Sequence, residues 1–350
     1  MRSNSVKAMR ENKFNFGLKA IQDSLSKKIK YYKKSAREIN QILNENPDRW
    51  GEFQHEFNEM IDNVFRDIMD FEVVHLAKGE EDKIYKLRKL FIKKFRKEFL
   101  RGKFIEWSFD KPYGYAGDFK IIEDIYENKP QTTGIERLFD NYFQQTAASK
   151  ATRERKEDFR EIIYDIVKSQ KNRSFRIMNL ASGPAREIKE LLDSEKQLFS
   201  NIIFDCYDND GHSLEFASNA LAEHSNVNFI KKNAVRLALK KDVSREIPSR
   251  YDLIYSTGLF DYLDERIAVK LIRNLRSLIN SGGMLVISNY REKHNNPSLY
   301  FMELAGDWSL VYRSEIDFIR LFLEGGFLRD NINLAIQRSG VMQYCFAKKE

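Results

Sequence analysis

At 350 residues the chain is long enough for two domains or for one large domain with an extension, and its 42% hydrophobic content argues for a packed core. The 59 basic and 52 acidic side chains leave a net charge of +7, which alone is no signature of nucleic-acid binding. No apolar run nears the roughly 20 residues of a bilayer span, and the opening MRSNSVKAMRENKFNFG lacks the apolar stretch of a secretory signal, so a cytoplasmic protein is expected. Cys206 and Cys345 lie far apart and in no metal-ligand spacing. Both read as small core residues within strands, and neither a disulfide framework nor a metal site is expected.

From the start to about Lys103 the pattern is helical and charged. Helices are predicted over residues 16–42 and 53–76, with Asn46-Pro47-Asp48 as the turn between them. Residues 82–99 read as a further helix carrying Ile84, Leu87, Phe91, Phe95 and Phe99 on one face and a lysine-rich stripe on the other. Such a helix either turns its apolar stripe to a core and its basic back to water, or docks on anionic lipid, nucleic acid or an acidic carrier protein. Next comes Lys111-Pro-Tyr-Gly-Tyr-Ala-Gly-Asp118, whose glycines and proline break any helix and set two tyrosines and an aspartate on a loop. Helical patterns resume over residues 118–126, 135–145 and 157–168, and Asp118 reads equally as a helix N-cap. Residues 1–150 are thus expected to form an all-helical domain.

Beyond residue 150 the pattern changes to alternating strands and helices. Strands are predicted at 175–180, 202–207, 227–231, 251–256 and 284–288, with helices at 188–192, 214–221 and 266–279 between them. That alternation implies an α/β, doubly wound parallel sheet over residues 151–350. Residues 331–338 and 341–348 then form a hairpin through Ser339-Gly340. The stretch FRIMNLASGPA, Phe175 to Ala185, is an apolar strand running into a small-residue turn, with a helix starting near Arg186. Backbone N–H groups in such a turn approach a ligand closely, which is the shape of a nucleotide-type cofactor site; tight strand-to-helix packing produces the same residues.

Several features in register resemble the class I S-adenosylmethionine-dependent methyltransferases. They are Asn179-Leu-Ala-Ser-Gly183-Pro-Ala185 at the end of the first strand, Tyr207-Asp208-Asn209-Asp210 after the second, Lys232-Asn233-Ala234 after the third, and Tyr251-Asp-Leu-Ile-Tyr-Ser-Thr-Gly258 at the fourth. The resemblance implies the strand order 3-2-1-4-5-7-6 with strand 7 antiparallel, and S-adenosyl-L-methionine as cofactor. It places cofactor contacts at Asn179, Ala181, Gly183, Asp208, Asn209, Asn233, Ala234, Ser256 and Gly258, with Asp208 on the ribose hydroxyls and Asn233 on the adenine amine. The alternative for Asp208 is a helix cap after the second strand. Asn179 stands where the family has an acid, and Ala181 and Ala185 stand where it has two of three glycines. A dinucleotide enzyme is disfavoured, because the turn lacks G-x-G-x-x-G.

With the loops included, GYAGDF (114–119), NLASGPAREI (179–188), YSTGLFDYL (255–263) and DWSLVYR (307–313) resemble the bacterial methyltransferases of 3-hydroxypalmitic acid methyl ester synthesis, over residues 100–350. These make hydroxy-fatty-acid methyl esters that serve as extracellular (quorum-sensing) signals. The resemblance implies methylation of the carboxyl of a long-chain acyl acid. Tyr115, Asp118 and Arg313 become the candidate catalytic residues, with Arg313 gripping the carboxylate; Tyr113, Trp308 and Tyr312 become candidate substrate contacts. For Arg313 a surface salt bridge, and for Trp308 ordinary core packing, are the competing readings. The Phe- and Leu-rich helical domain would shelter the acyl chain. A carboxylate is already nucleophilic at neutral pH, so the transfer needs in-line positioning more than a base. The five histidines are scattered and read as surface or helix residues. Methylation of another small molecule at O or N, an RNA-binding methyltransferase and a non-catalytic binding protein remain the alternatives. Against RNA stands Ser256-Thr-Gly-Leu259, where N6-adenine enzymes carry Asn/Asp-Pro-Pro-aromatic.

Overall fold

The protein is described here by a computed structural model, which covers residues 17–169 and 174–350. The expected helix start at Phe16 and most of the opening segment lie outside the described residues. In chain order the first elements are α1 (Leu18–Glu45), α2 (Trp50–Leu76), α3 (Glu81–Lys94), α4 (Lys103–Asp110), α5 (Phe119–Glu127), α6 (Gly134–Gln145) and α7 (Ala147–Ser169). Strands and helices then alternate through β1 (Phe175–Leu180), α8 (Arg186–Ser194), β2 (Ile202–Asp208), α9 (Gly211–Ala220), β3 (Val227–Lys231), α10 (Ala234–Ala238) and β4 (Tyr251–Ser256). The chain closes with α11 (Glu265–Leu278), β5 (Ile279–Tyr290), α12 (Pro297–Leu304), α13 (Glu315–Glu324), β6 (Ile332–Ile336) and β7 (Met342–Lys348).

Among the described residues two compact units result, one of residues 17–117, 128–150 and 293–309, the other of residues 118–127, 151–169, 174–292 and 310–350. In the helical unit α1 buries Ile21, Leu25, Ile29, Tyr32, Ile39 and Leu43, a stripe at 3.6-residue spacing. Each fully buried side chain of this kind contributes roughly 2 kcal/mol. Aromatic rings fill the core: Tyr32 stacks on Phe99 at 5.0 Å, and Phe65 meets Phe91 at 5.3 Å and Phe301 at 5.5 Å. Phe57, Phe65, Phe91 and Phe99 are fully enclosed. These phenylalanines therefore hold the helices together rather than line an acyl channel.

The single helix expected over residues 82–99 is broken. Its stripe Ile84, Leu87 and Phe91 faces the core, but α3 stops at Lys94 and a 3-10 turn, Arg96–Glu98, follows. Arg96 donates from Nε to the Leu304 carbonyl at 2.8 Å, and the turn delivers Phe99 onto Tyr32.

A cut at residue 150 does not describe the units, because two segments cross it. Residues 293–309 join the helices through buried charge: Lys293 Nζ lies 2.9 Å from Glu72 and 2.9 Å from Glu303, and Arg88 bridges the same two carboxylates at 2.9 and 2.8 Å. Residues 118–127 join the sheet, where Phe119 packs on Phe216 at 5.4 Å and Glu123 pairs with Arg186 at 2.8 Å.

In the sheet unit the strand order is β3-β2-β1-β4-β5-β7-β6, with β7 antiparallel to both neighbours and β1 to β5 parallel. Strands β1 and β4 are buried on both faces, as their near-continuous apolar sequences require. Pairing sets Asn179 beside Cys206 and Tyr255, and Ser256 beside Ile287, so the carboxyl ends of β1, β2, β4 and β5 share one edge. The chain reverses its winding between β1 and β4, and a ligand crevice in an open α/β sheet lies at that point.

Candidate functional site

The turn after β1 carries three left-handed residues at alternate positions: Ala181 (φ 56°), Gly183 (φ 54°) and Ala185 (φ 51°). They fall on the three positions where the resembled family has glycine. Alanine enters this region at a cost of roughly 1–2 kcal/mol, so the turn holds its shape against local preference. A Cβ on Gly183 would meet nothing within 4 Å, so one side of the turn is open. Asn179 is buried at the end of β1, and its Nδ2 donates to Glu187 Oε1 at 3.0 Å. Tyr255 Oη donates to the same oxygen at 2.8 Å. Burial pushes the Glu187 carboxyl above its usual range, with the Tyr255 bond opposing. Asn179 Oδ1 and Ser182 Oγ are buried and have no hydrogen-bond partner among the described residues.

Asp208, the last residue of β2, joins two turns. Its Oδ2 accepts from the Gly183 N–H at 2.9 Å and its Oδ1 from the Asp210 N–H at 2.9 Å. Burial raises its pKa, and those two main-chain donors pull the other way. It is not the cap of α9: Asp210 is, accepting from the His212 N–H at 2.9 Å. Asn233 caps α10, with Oδ1 accepting from the Arg236 N–H at 2.9 Å, and its Nδ2 donates to Asn209 Oδ1 at 3.1 Å. The oxygen expected to take the adenine amine thus already holds a helix end. Ala234 is buried behind it. Ser256 Oγ donates to the Leu180 carbonyl at 2.8 Å, tying β4 to β1. Gly258 faces the Arg155 guanidinium, which a Cβ would meet at 3.5 Å.

Beyond β4 the structure assembles residues not singled out from the sequence. Asp261 is buried; its Oδ1 accepts from Asn289 Nδ2 at 2.7 Å and from the Tyr290 N–H at 3.0 Å, while Oδ2 lies 3.4 Å from Arg155. Burial drives its pKa up to about 6 against the pull of Arg155. The one signal that marked it was its place inside YSTGLFDYL. Arg155 and Asn289 stood in no motif.

Arg313 corrects the expectation placed on it. It is buried, with Nη1 donating to the Phe260 carbonyl at 2.7 Å and to Asn289 Oδ1 at 3.1 Å, and with Nη2 on the Leu263 carbonyl. It makes neither the surface salt bridge nor the open carboxylate fork; it stitches the loop after β4 to the end of β5. Asp118 takes the capping role: its Oδ1 accepts from the N–H groups of Lys120 and Ile121 at 2.9 and 3.0 Å, starting α5 within the sheet unit. Tyr312 packs edge-on against Tyr290 at 6.2 Å in the same unit. Tyr113, Tyr115 and Trp308 belong to the helical unit. There Tyr113 lies against Trp107 at 6.2 Å, Tyr115 is exposed, and Trp308 is buried with its main-chain N–H donating to the Met302 carbonyl at 3.1 Å.

Strand order, the turn at the switch point and an acid at the end of β2 define the class I methyltransferase architecture. Residues 113–342 match the family model described as "Putative methyltransferase", and the chain belongs to this methyltransferase family, which works with S-adenosylmethionine. No curated protein sequence matches the chain. Among solved structures, a possible exported protein from Bordetella parapertussis aligns with a TM-score of 0.51 at 17% identity, over 85% of this chain and 96% of its own. The CurJ carbon methyltransferase aligns with a TM-score of 0.50 at 11% identity, over 86% and 70%. Magnesium protoporphyrin IX methyltransferase from Synechocystis PCC 6803, solved with S-adenosylmethionine bound, gives 0.41 at 13% identity over 58% and 84%. At these identities the likeness is one of fold.

The residues present fit the cofactor. An ammonium group needs acceptors, and Asn179 Oδ1 and Ser182 Oγ are enclosed polar atoms without partners among the described residues. A ribose needs an acceptor for its hydroxyls, and each Asp208 oxygen accepts one main-chain donor while offering more than one lone pair.

Proposed function

We propose that the enzyme transfers a methyl group to the carboxylate of a long-chain, 3-hydroxylated acyl acid, giving a methyl ester. The observation that supports this reading most is the joining of three of the four loop motifs. In the sheet unit NLASGPAREI and YSTGLFDYL meet through Asn179, Glu187 and Tyr255, and DWSLVYR returns to YSTGLFDYL through Arg313 on Phe260 and Leu263 and through the Val311 N–H on the Asp261 carbonyl at 2.7 Å. Three of the motifs that set this chain beside fatty-acid methyl ester enzymes thus join at the carboxyl ends of β1, β4 and β5.

In this reading the left-handed turn 181–185 positions the methionine part of the cofactor and Asp208 the ribose. The cofactor supplies an electrophilic methyl on a sulfonium. A carboxylate acceptor would need no proton removed before methylation, with the C–S electron pair leaving to sulfur, so positioning and exclusion of water are what the chain must provide. Where the family carries an acid at the Asn179 position, here the Glu187 carboxyl lies one contact behind the asparagine.

The test incubates the protein with labelled S-adenosylmethionine and a panel of 3-hydroxy and plain fatty acids, phenols and amines, with products identified by mass spectrometry. Ester from the hydroxy acids is the expected product. Label appearing only in phenol or amine products would move the acceptor to another small molecule, and cofactor binding with no product from the acids would end the acyl reading.

A further inference from the structure

The helical unit carries a cleft of about 790 Å³ between α1 and the end of α3. Six basic side chains line it, Lys27, Lys30, Lys33, Lys34, Arg37 and Lys94, against the single acid Glu98. Glu98 is taken by Lys33 at 2.8 Å, and Lys34 reaches Glu38 only at 3.7 Å. Lys27, Lys30, Arg37 and Lys94 make no ion pair with another described residue. Between the cations lie Phe95 and Tyr31, the latter 59% exposed. A second, smaller hollow of about 190 Å³ continues the surface past Arg37 to Lys97 and Arg101.

We infer that this cleft is a docking site for an acidic amphipathic helix of a partner protein. Charge complementarity is the first argument: unpaired ammonium groups on both rims attract carboxylates and steer encounter. Shape is the second. From Ser26 to Arg37 the cleft follows α1 for about 17 Å, the length of three helical turns. Its apolar floor matches a helix that alternates acidic and leucine-like residues, the helix-in-groove mode of recognition. A phosphate backbone has no apolar counterpart for Tyr31 and Phe95, and five of the six cations are lysines rather than the arginine forks suited to phosphate. The chain's own first sixteen residues carry Arg2, Lys7, Arg10 and Lys13 against Glu11, so they share the cleft's sign.

The experiment uses the full chain and a fluorescent helical peptide of about 15 residues, glutamate on one face and leucine on the other, read by anisotropy. Beside it run a permuted peptide of the same composition, poly-uridine RNA and phosphatidylglycerol vesicles. The patterned peptide is expected to bind best, to weaken with added salt, and to lose about tenfold in affinity on Lys30→Glu/Lys34→Glu. A second variant, Lys27→Glu/Lys94→Glu, attacks the rims at other positions, and circular dichroism checks that both variants keep their helices. Tyr31→Ala should weaken the patterned peptide alone. Equal affinity for the permuted peptide, tighter binding of RNA or vesicles through the same lysines, or no effect of either charge reversal would each overturn the proposal.

Discussion

Two buried clusters, one in each unit, hold charge in opposite ways. In the helical unit Glu72 is buried, which by itself raises a carboxyl, yet Lys293 and Arg88 more than offset this and hold it below its usual range. At the strand ends of the sheet unit Glu187, Asp208 and Asp261 are enclosed with weaker compensation, and all three are raised. The same strand ends hold alanines in a left-handed turn and polar atoms without partners among the described residues. A region that balances its buried charges serves stability; a region that leaves acids, strain and acceptors uncompensated is poised for a ligand.

Breaking the balance in the helical unit should give the largest effect. Lys293→Met leaves Glu72 and Glu303 sharing Arg88 alone, and loss of one partner of a buried charge cluster costs about 3–5 kcal/mol. Urea denaturation at neutral pH measures the loss. Without Lys293 the Glu72 carboxyl should also titrate upward, so the variant's deficit should shrink as pH falls, which would make this cluster behave like the other. A loss below about 1 kcal/mol would show that the cluster is no better than a surface pair.

Asp261 tests the other side of the comparison. Its folded pKa of about 6 lies above the ordinary value near 4, so the folded state holds this proton more tightly than the unfolded one. The stabilisation is fully present below about pH 4 and is lost as pH rises through about 6, a change on the order of 3 kcal/mol. Asp261→Asn should flatten that part of the stability profile, measured by urea midpoints between about pH 4 and 7. Glu72 runs in the opposite sense, with stability present above its unfolded pKa and lost as pH falls through its lowered folded value. An unchanged profile in Asp261→Asn would place the pH dependence elsewhere.

How far each unit was readable follows from the range of its interactions. Phe175–Leu180 and Tyr251–Ser256 were predicted with the bounds they have, because a buried parallel strand writes itself as a near-continuous apolar run. The start of β5 was missed: Asn280-Ser-Gly-Gly283 reads as a turn, but Gly283 lets the strand run on where a Cβ would lie 2.7 Å from Ile279 and 2.8 Å from the Asp252 carbonyl. The break after Lys94 was invisible because the stripe of Ile84, Leu87 and Phe91 points on to Phe95 and Phe99 in helical register. At the site, the turn 179–185 and Asp208 were legible as local motifs. The grouping of Arg155, Asp261, Asn289 and Arg313 was not, since it joins residues from four separate segments, and Arg313 was given a substrate role that its carbonyl partners now occupy.

Asp208 sharpens the claim that the strand ends await a ligand. If its carboxylate receives the ribose as well as the Gly183 and Asp210 N–H groups, Asp208→Asn should weaken S-adenosylhomocysteine by about 10- to 100-fold, the range for hydrogen bonds to a charged group. Calorimetry reads this directly. Loss of thermal stability with unaltered affinity would reduce Asp208 to a link between two turns.

The smallest effect expected is the most specific to the turn. Ala181 is half-buried at φ 56°, where glycine is at ease and alanine is not. Ala181→Gly relieves roughly 1–2 kcal/mol of backbone cost and gives back about 0.4–1 kcal/mol through the freer unfolded chain, leaving a gain of about 0.5 kcal/mol. If the alanines hold the turn ready for the cofactor, the same substitution should weaken S-adenosylhomocysteine by about twofold, because a looser turn must be ordered on binding. Stability and affinity would then move in opposite directions. A variant that gains both would show that strain at Ala181 is tolerated rather than used, and one that gains neither would remove strain from the contrast between the two units.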